Sequence, residues 1–258
     1  MRWKLAVFAI LGCALPLAGS AIGQEANPST HNSTEQGLHI RAVIELFTSQ
    51  GCSSCPAADL LLQKYAADPS IIALSMPVDY WDYLGWKDTF ASPRNTDRQR
   101  AYAKARGDGA IYTPQVVING TIHANGAQKA DIDTAIEVTS KNAALPHVPI
   151  RFWQESNNLN IVTGWAEQGK DVKEATIWLG VVQTTGTIEI PKGENAGKTL
   201  AYTNIVRELT PIGLYKGKPM MIQIPRAAIM QPATQKSVVI IQEGKAGPII
   251  GAAWAGLW

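Results

Sequence analysis

Cys52 and Cys55 stand three positions apart in the run VIELFTSQGCSSCPAADLLLQKYA, where an apolar strand pattern passes through a short turn into a helical pattern. The remaining cysteine, Cys13, lies in an N-terminal stretch with leader character. Two thiols with two residues between them at the start of a helix are the usual form of a redox-active dithiol. The thiolate is the attacking species in disulfide exchange, and a helix N-terminus favours it through unpaired N–H groups and the helix dipole. On this reading Cys52 caps the helix as the exposed nucleophile. Cys55, one turn in and more buried, resolves the mixed disulfide. Ser53 and Ser54 add hydroxyls near the sulfur. A structural disulfide is the competing reading, and a Cu(I) site suits paired thiolates as well. Zinc is disfavoured, because two cysteines supply half of its four ligands and His31, His39, His123 and His147 show no ligand spacing to them. The expectation is no metal and no cofactor beyond the Cys52–Cys55 pair itself.

The elements that must position this pair follow from pattern. Ala42 to Phe47 reads as a strand with apolar residues on both faces, and Cys52 to Ala67 as a helix that tolerates Pro56 in its first turn. Ile71 to Val78 reads as a second strand, reached by a right-handed crossover. Ser92-Pro93 opens a helix that runs to Gly107. Then come Tyr112-Thr113-Pro114, a strand from Gln115 to Ile118, an Asn119-Gly120 hairpin turn, a strand from Thr121 to Ala124 and a helix from Ala130 to Ser140. Leu145 to Pro149 looks like a junction. Beyond it, β-branched runs separated by Gly, Asn and Pro predict an all-β sandwich of seven or eight strands.

The C-x-x-C between the first strand and its helix, Thr113-Pro114 before the hairpin and the closing ββα together resemble the thioredoxin superfamily. ELFTSQGCSSCP also looks like the matching stretch of glutaredoxin-like proteins. The resemblance implies that Pro114 is a cis-proline lying against the dithiol, leaving the Thr113 backbone free to pair with a peptide. Ser53-Ser54 replace the Gly-Pro of thioredoxin proper, so its reduction potential does not carry over. FTSQGCSSCPAAD, VDYWDYLGWKD, YTPQVVING and GENAGKTLAYTNIVR together resemble a family of bacterial secreted proteins of unknown function. Members of that family have a thioredoxin-like domain followed by a β-rich one. The expected fold class is therefore an α/β thioredoxin-like N-terminal domain, residues 38–145, followed by an all-β sandwich-like C-terminal domain, residues 146–258.

Further candidates sit around the dithiol. Thioredoxin proper carries a buried Asp where this chain has Leu46, which leaves Glu45 as a candidate proton acceptor for Cys55. By strand alternation, however, Glu45 points to the opposite face, so it reaches the site only through a bulge, and a surface or helix-capping role is the alternative. Tyr80, Trp81, Tyr83 and Trp86 form a candidate substrate platform, with capping of the core as the alternative. Arg94, Arg98, Arg100, Lys104 and Arg106 read as a solvated helix face. Gly193 to Thr199 imitates a phosphate-binding loop with one residue too few between its glycines, so a turn or interface loop is the better reading. Asn204 and Arg207 are candidates to pack against the first half.

Arg2 and Lys4, the apolar stretch from Leu5 to Leu17 and the small residues Ala21 and Gly23 predict a signal peptide over residues 1–23. The apolar stretch, at about 13 residues, is short for a membrane span of roughly 20. Residues 24–37 read as a flexible linker. The expected location is periplasmic or secreted, where disulfides persist, with no stable membrane insertion after cleavage. Of 23 basic and 21 acidic side chains, the leader removes Arg2 and Lys4, so the remainder is near neutral and gives no case for nucleic acid. The expected activity is thiol–disulfide exchange with protein thiols or a redox partner protein. The alternatives are a binding or assembly module with a structural disulfide, or a copper-handling protein.

Overall fold

The computed structural model describes residues 40–167, 172–229 and 236–257. The expected signal peptide and linker, with Cys13, His31 and His39, lie outside the described residues. The strand β1 (Ala42–Thr48) is buried along its whole length because it has neighbours on both edges and packing on both faces. Ala42, Ile44 and Leu46 meet one core with Ala58 and Leu62 of helix α1 (Cys55–Ala66). Val43 and Phe47 meet another core with Tyr102 of helix α2 (Pro93–Arg106). This is the two-residue alternation of a strand expressed as two separate layers.

Strand β2 (Ile71–Pro77) lies parallel to β1, and β3 (Gln115–Ile118) pairs antiparallel on the other side. The hairpin partner β4 (Ile122–Asn125) forms the outer edge, and α3 (Lys129–Ser140) closes over the α1 face. In the second half, β5 (Ile150–Glu155) and β6 (Asn158–Thr163) precede the long strands β7 (Ala175–Glu189) and β8 (Thr199–Tyr215). Then come β9 (Met220–Pro225), β10 (Lys236–Glu243) and β11 (Ile249–Leu257).

The expectation of a self-contained α/β thioredoxin-like domain followed by an all-β sandwich-like domain is overturned. Strands of both halves lie in one eight-stranded mixed sheet, in the order β11-β10-β7-β8-β2-β1-β3-β4. The protein is mostly β, with three α-helices among the described residues. β2 meets β8 in parallel at Ser75 and Ile205, and the side chain of Asn204 donates to the Ala73 carbonyl at 2.8 Å. Asn204 itself holds a positive φ of 51°, a conformation that Asn adopts more readily than most residues. One core runs under the seam, joining Val43, Phe47 and Ile72 to Val182, Val206, Val238 and Ile240. The edge of β2 that a helix or solvent would otherwise have to cover is occupied by β8. Strands β5, β6 and β9 form a second, three-stranded sheet. Leu159 and Ile161 from it share a third core with Ile177, Leu179, Val239 and Ile241 of the large sheet.

Candidate dithiol site

β1 delivers the chain into the turn Ser49-Gln50-Gly51-Cys52, and α1 begins at Cys55. The helix therefore starts later than the pattern suggests. Cys52 lies outside its first turn, accepting a hydrogen bond from the Cys55 N–H at 3.2 Å. Pro56 occupies the first turn, where its missing N–H removes no helical bond. Cys52 and Cys55 are joined as a disulfide. The Cys52 sulfur lies 3.4 Å from the Ser54 hydroxyl.

The expected exposure of Cys52 is corrected by the structure. Cys52 is 1% exposed and Cys55 0%. The cover comes from the second half of the chain, at the segment that imitates a phosphate loop. Asn195 is fully buried, and its amide donates to the carbonyls of Gln50 and Cys52, at 2.9 Å each. Glu194 accepts from the Ser53 N–H at 3.3 Å. Lys198 donates to the Asn195 side-chain oxygen at 2.9 Å, which fixes the amide orientation. The segment is thus an interface loop folded over the dithiol turn, with its N–H groups engaged in its own turn bonds.

The aromatic segment contributes unevenly. Trp81 stands between the dithiol turn and Thr113, donating its indole N–H to the Thr113 hydroxyl at 2.8 Å. A Cβ on Gly51 would sit 3.0 Å from the Trp81 Cβ, so glycine lets the two segments approach. Trp86 donates to the Gln50 side-chain oxygen at 2.7 Å, and the Gln50 N–H donates to Asp88 at 2.8 Å. Tyr80 packs against the α2-side core, where burial raises its phenol above the usual range. Tyr83 is 78% exposed and stands apart from the others. The four residues are therefore not one platform: Trp81 and Trp86 brace the turn, while Tyr83 alone faces solvent.

The Thr113–Pro114 peptide is cis, the isomer the resemblance implies. The Pro114 carbonyl accepts from the Gly126 N–H at 3.0 Å. A Cβ on Gly126 would fall 2.7 Å from Leu46 Cδ1, 3.0 Å from Ala58 Cβ and 3.2 Å from Pro114 Cβ, so no larger residue fits between the proline and α1.

Glu45 is not beside Cys55. It faces α2, where Arg98 donates to both carboxylate oxygens at 2.6 and 3.0 Å and Tyr102 donates its hydroxyl as well. Gln242 of β10 in turn donates to the Tyr102 hydroxyl at 2.9 Å. Arg98 is buried with them and stacks 5.4 Å from the Trp178 ring, so it leaves the solvated face expected for the helix's basic residues.

The acid that does lie on the dithiol side is Asp59, on α1, which the alternation of β1 does not reveal. It is 6% exposed, four residues after Cys55 on the buried face of α1. Burial pushes its carboxyl up to about 8; the Thr48 hydroxyl opposes the shift and the Asp88 charge adds to it. The signal was present in PAADLLL, a lone acid at helical spacing from Cys55 on an otherwise apolar face. Nothing in the sequence marks Asn195 as a cover, since its partner lies 143 residues away.

A covered disulfide before a helix, held by a loop of a mostly β fold, defines the class of site. The chain belongs to a protein family of unknown function, DUF1223, whose model matches residues 43–242. It is also similar to a protein from Agrobacterium tumefaciens solved by X-ray crystallography, at 30% identity and a TM-score of 0.74, covering 84% of this chain and 94% of that one. No curated protein matches the chain.

Proposed function

We propose that the protein is an exported thiol–disulfide oxidoreductase, periplasmic or secreted, that exchanges disulfides with protein thiols through Cys52 and Cys55. The observation that carries this reading is the Cys52–Cys55 disulfide at the start of α1, with Trp81 linking its turn to Thr113. Residue pairs of this spacing at a helix start undergo exchange because one sulfur attacks and the other is positioned to release the partner. The motif likeness of FTSQGCSSCP and YTPQVVING to the thioredoxin superfamily supports the same chemistry. On this reading Cys52 attacks once the Asn195 loop lifts, and Cys55 resolves.

A second reading draws on a specific observation, the burial of both sulfurs. There the disulfide is structural and the protein is a binding or assembly module. The reduction potential of the pair, set in glutathione buffers and read by thiol alkylation, separates the two. A value between about −120 and −270 mV supports exchange, and one below about −300 mV supports the structural disulfide.

A further inference from the structure

Buried polar side-chain atoms almost always find partners, and those that do not call for an explanation. Beside α1, both carboxyl oxygens of Asp59, the Thr48 hydroxyl and the Tyr202 hydroxyl are buried without a well-formed hydrogen bond, Thr48 being the neighbour that favours the Asp59 charge. They form one group: Thr48 and Asp88 act on the Asp59 carboxyl, and Asp59 and Asp88 in turn raise the Tyr202 phenol further above its usual range than burial alone. Asp88 differs from Asp59 in its surroundings. Burial raises its carboxyl too, but it accepts backbone N–H bonds from Gln50 and Phe90 at 2.8 Å and from Ala91 at 3.1 Å, which oppose that shift. Of the two acids, Asp59 is the one left to hold a proton.

Its place on the helix gives that proton a use. Residues four apart on a helix share a face, with about 6 Å between their β-carbons. Helical side chains lean in general toward the N-terminus, the direction in which Cys55 lies from Asp59 along α1. Thr48 lies on the same face of β1 as Ile44 and Leu46, the face that α1 covers.

We propose that Asp59 is the proton acceptor and donor for Cys55 during exchange, an inference that rests on the oxidoreductase reading above. In the resolving step the Asp59 carboxylate takes the Cys55 thiol proton. The Cys55 sulfur attacks Cys52 of the mixed disulfide, the bond from Cys52 to the partner sulfur breaks, and the partner leaves as a thiolate. Two electrons have then passed from the dithiol to the partner's disulfide. In the reverse direction Asp59 returns the proton to Cys55 as it leaves. A carboxyl that titrates near 8 can do both at neutral pH. The groups that tune it are Thr48 from β1 and Asp88 from the segment after β2, and its own charge acts on the Tyr202 phenol of β8.

The test mixes the reduced full-length chain with 5,5′-dithiobis(2-nitrobenzoate) in a stopped-flow instrument. The first thionitrobenzoate reports attack by Cys52. The second, independent of reagent concentration, reports resolution by Cys55. Asp59→Asn should slow the second release by at least about ten-fold at pH 7 and leave the first nearly unchanged. The rise of the wild-type second release through about pH 8 should vanish in the variant. Asp59→Leu, close in size and apolar, should behave alike if the amide of Asn disturbs the site. Where the two releases coincide, the midpoint potential against pH decides: an inflection near 8 in the wild type, absent in Asp59→Asn, supports the proposal. An unchanged second release and pH profile, or equal slowing of both releases, overturns the role of Asp59. A wild type that shows no second release overturns the exchange reading itself, and the role of Asp59 with it.

Discussion

Glu45 and Asp59 are carboxyl groups buried on opposite sides of β1, and the chain surrounds them differently. Glu45 meets Arg98 through two hydrogen bonds and Tyr102 through a third. Among the described residues Asp59 has no cation beside it, and of the neighbouring side chains only the Thr48 hydroxyl favours its charge. An ionised group removed from water needs a countercharge and donors, or it takes up a proton. Glu45 follows the first course and serves architecture, tying β1 and α2 to Gln242 of β10. Asp59 follows the second, and its burial raises its affinity for a proton. Burial alone therefore does not mark a functional acid; what sets Asp59 apart is burial without a countercharge, four residues from Cys55.

Three measurements break or sharpen this contrast. The largest effect belongs to the partnered acid. Arg98→Met leaves Glu45 buried without its cation and should lower the unfolding free energy in urea by about 3–5 kcal/mol. The double variant Glu45→Leu, Arg98→Met should lose much less, and equal losses in the single and double variants would end the assignment of Glu45 as a structural ion pair. Asp59 should respond with the opposite sign. The folded chain keeps its proton up to about pH 8, whereas an unfolded carboxyl releases it near 4. Between those values the folded state binds the extra proton, so this contribution is intact below the unfolded value and is lost as pH rises through the window. Asp59→Asn should therefore gain about 1–3 kcal/mol at pH 8, after the cost of burying an unpaired amide, and flatten the dependence from pH 4 to 8. A stability curve unchanged in shape would place the carboxyl in an ordinary, solvated state. The smallest effect concerns the cover. Asn195→Ala removes two hydrogen bonds to the dithiol turn, which should cost about 1–2 kcal/mol. Reduction of the disulfide by a phosphine should accelerate several-fold, and an unaltered rate would mean that the loop does not limit access.

Much of the local structure was legible in the sequence. The strand expected over Ala42–Phe47 is β1, the helix through RNTDRQRAYAKA is α2 ending at Gly107, and the Asn119-Gly120 turn joins β3 and β4. These features are written in nearby residues: alternation, a Ser92 cap with Pro93 behind it, and a turn dipeptide that accepts positive φ. What failed was partnership. The β-branched runs of the second half predict strands, but no local signal says that β8 will pair with β2 and merge two expected domains into one sheet. The same limit applied at the site. Cys52, Cys55 and Thr113-Pro114 were found by spacing and motif, whereas the Asn195 cover needed a contact across 143 residues. Glu45 neighbours the position of the thioredoxin acid, but strand alternation turns it to the opposite face, where Arg98 and Tyr102 hold it. Asp59 needed only the helical repeat counted from Cys55.

The distance in sequence between the dithiol and its cover also has a consequence for how the molecule is made. A chain synthesised from its N-terminus presents Cys52 143 residues before Asn195 exists, with Cys55 close behind it. Until β8 is added, the edge of β2 lies bare and the sulfurs have no lid. The pair is open to solvent for that interval, and it is the folding of the second half that closes it in.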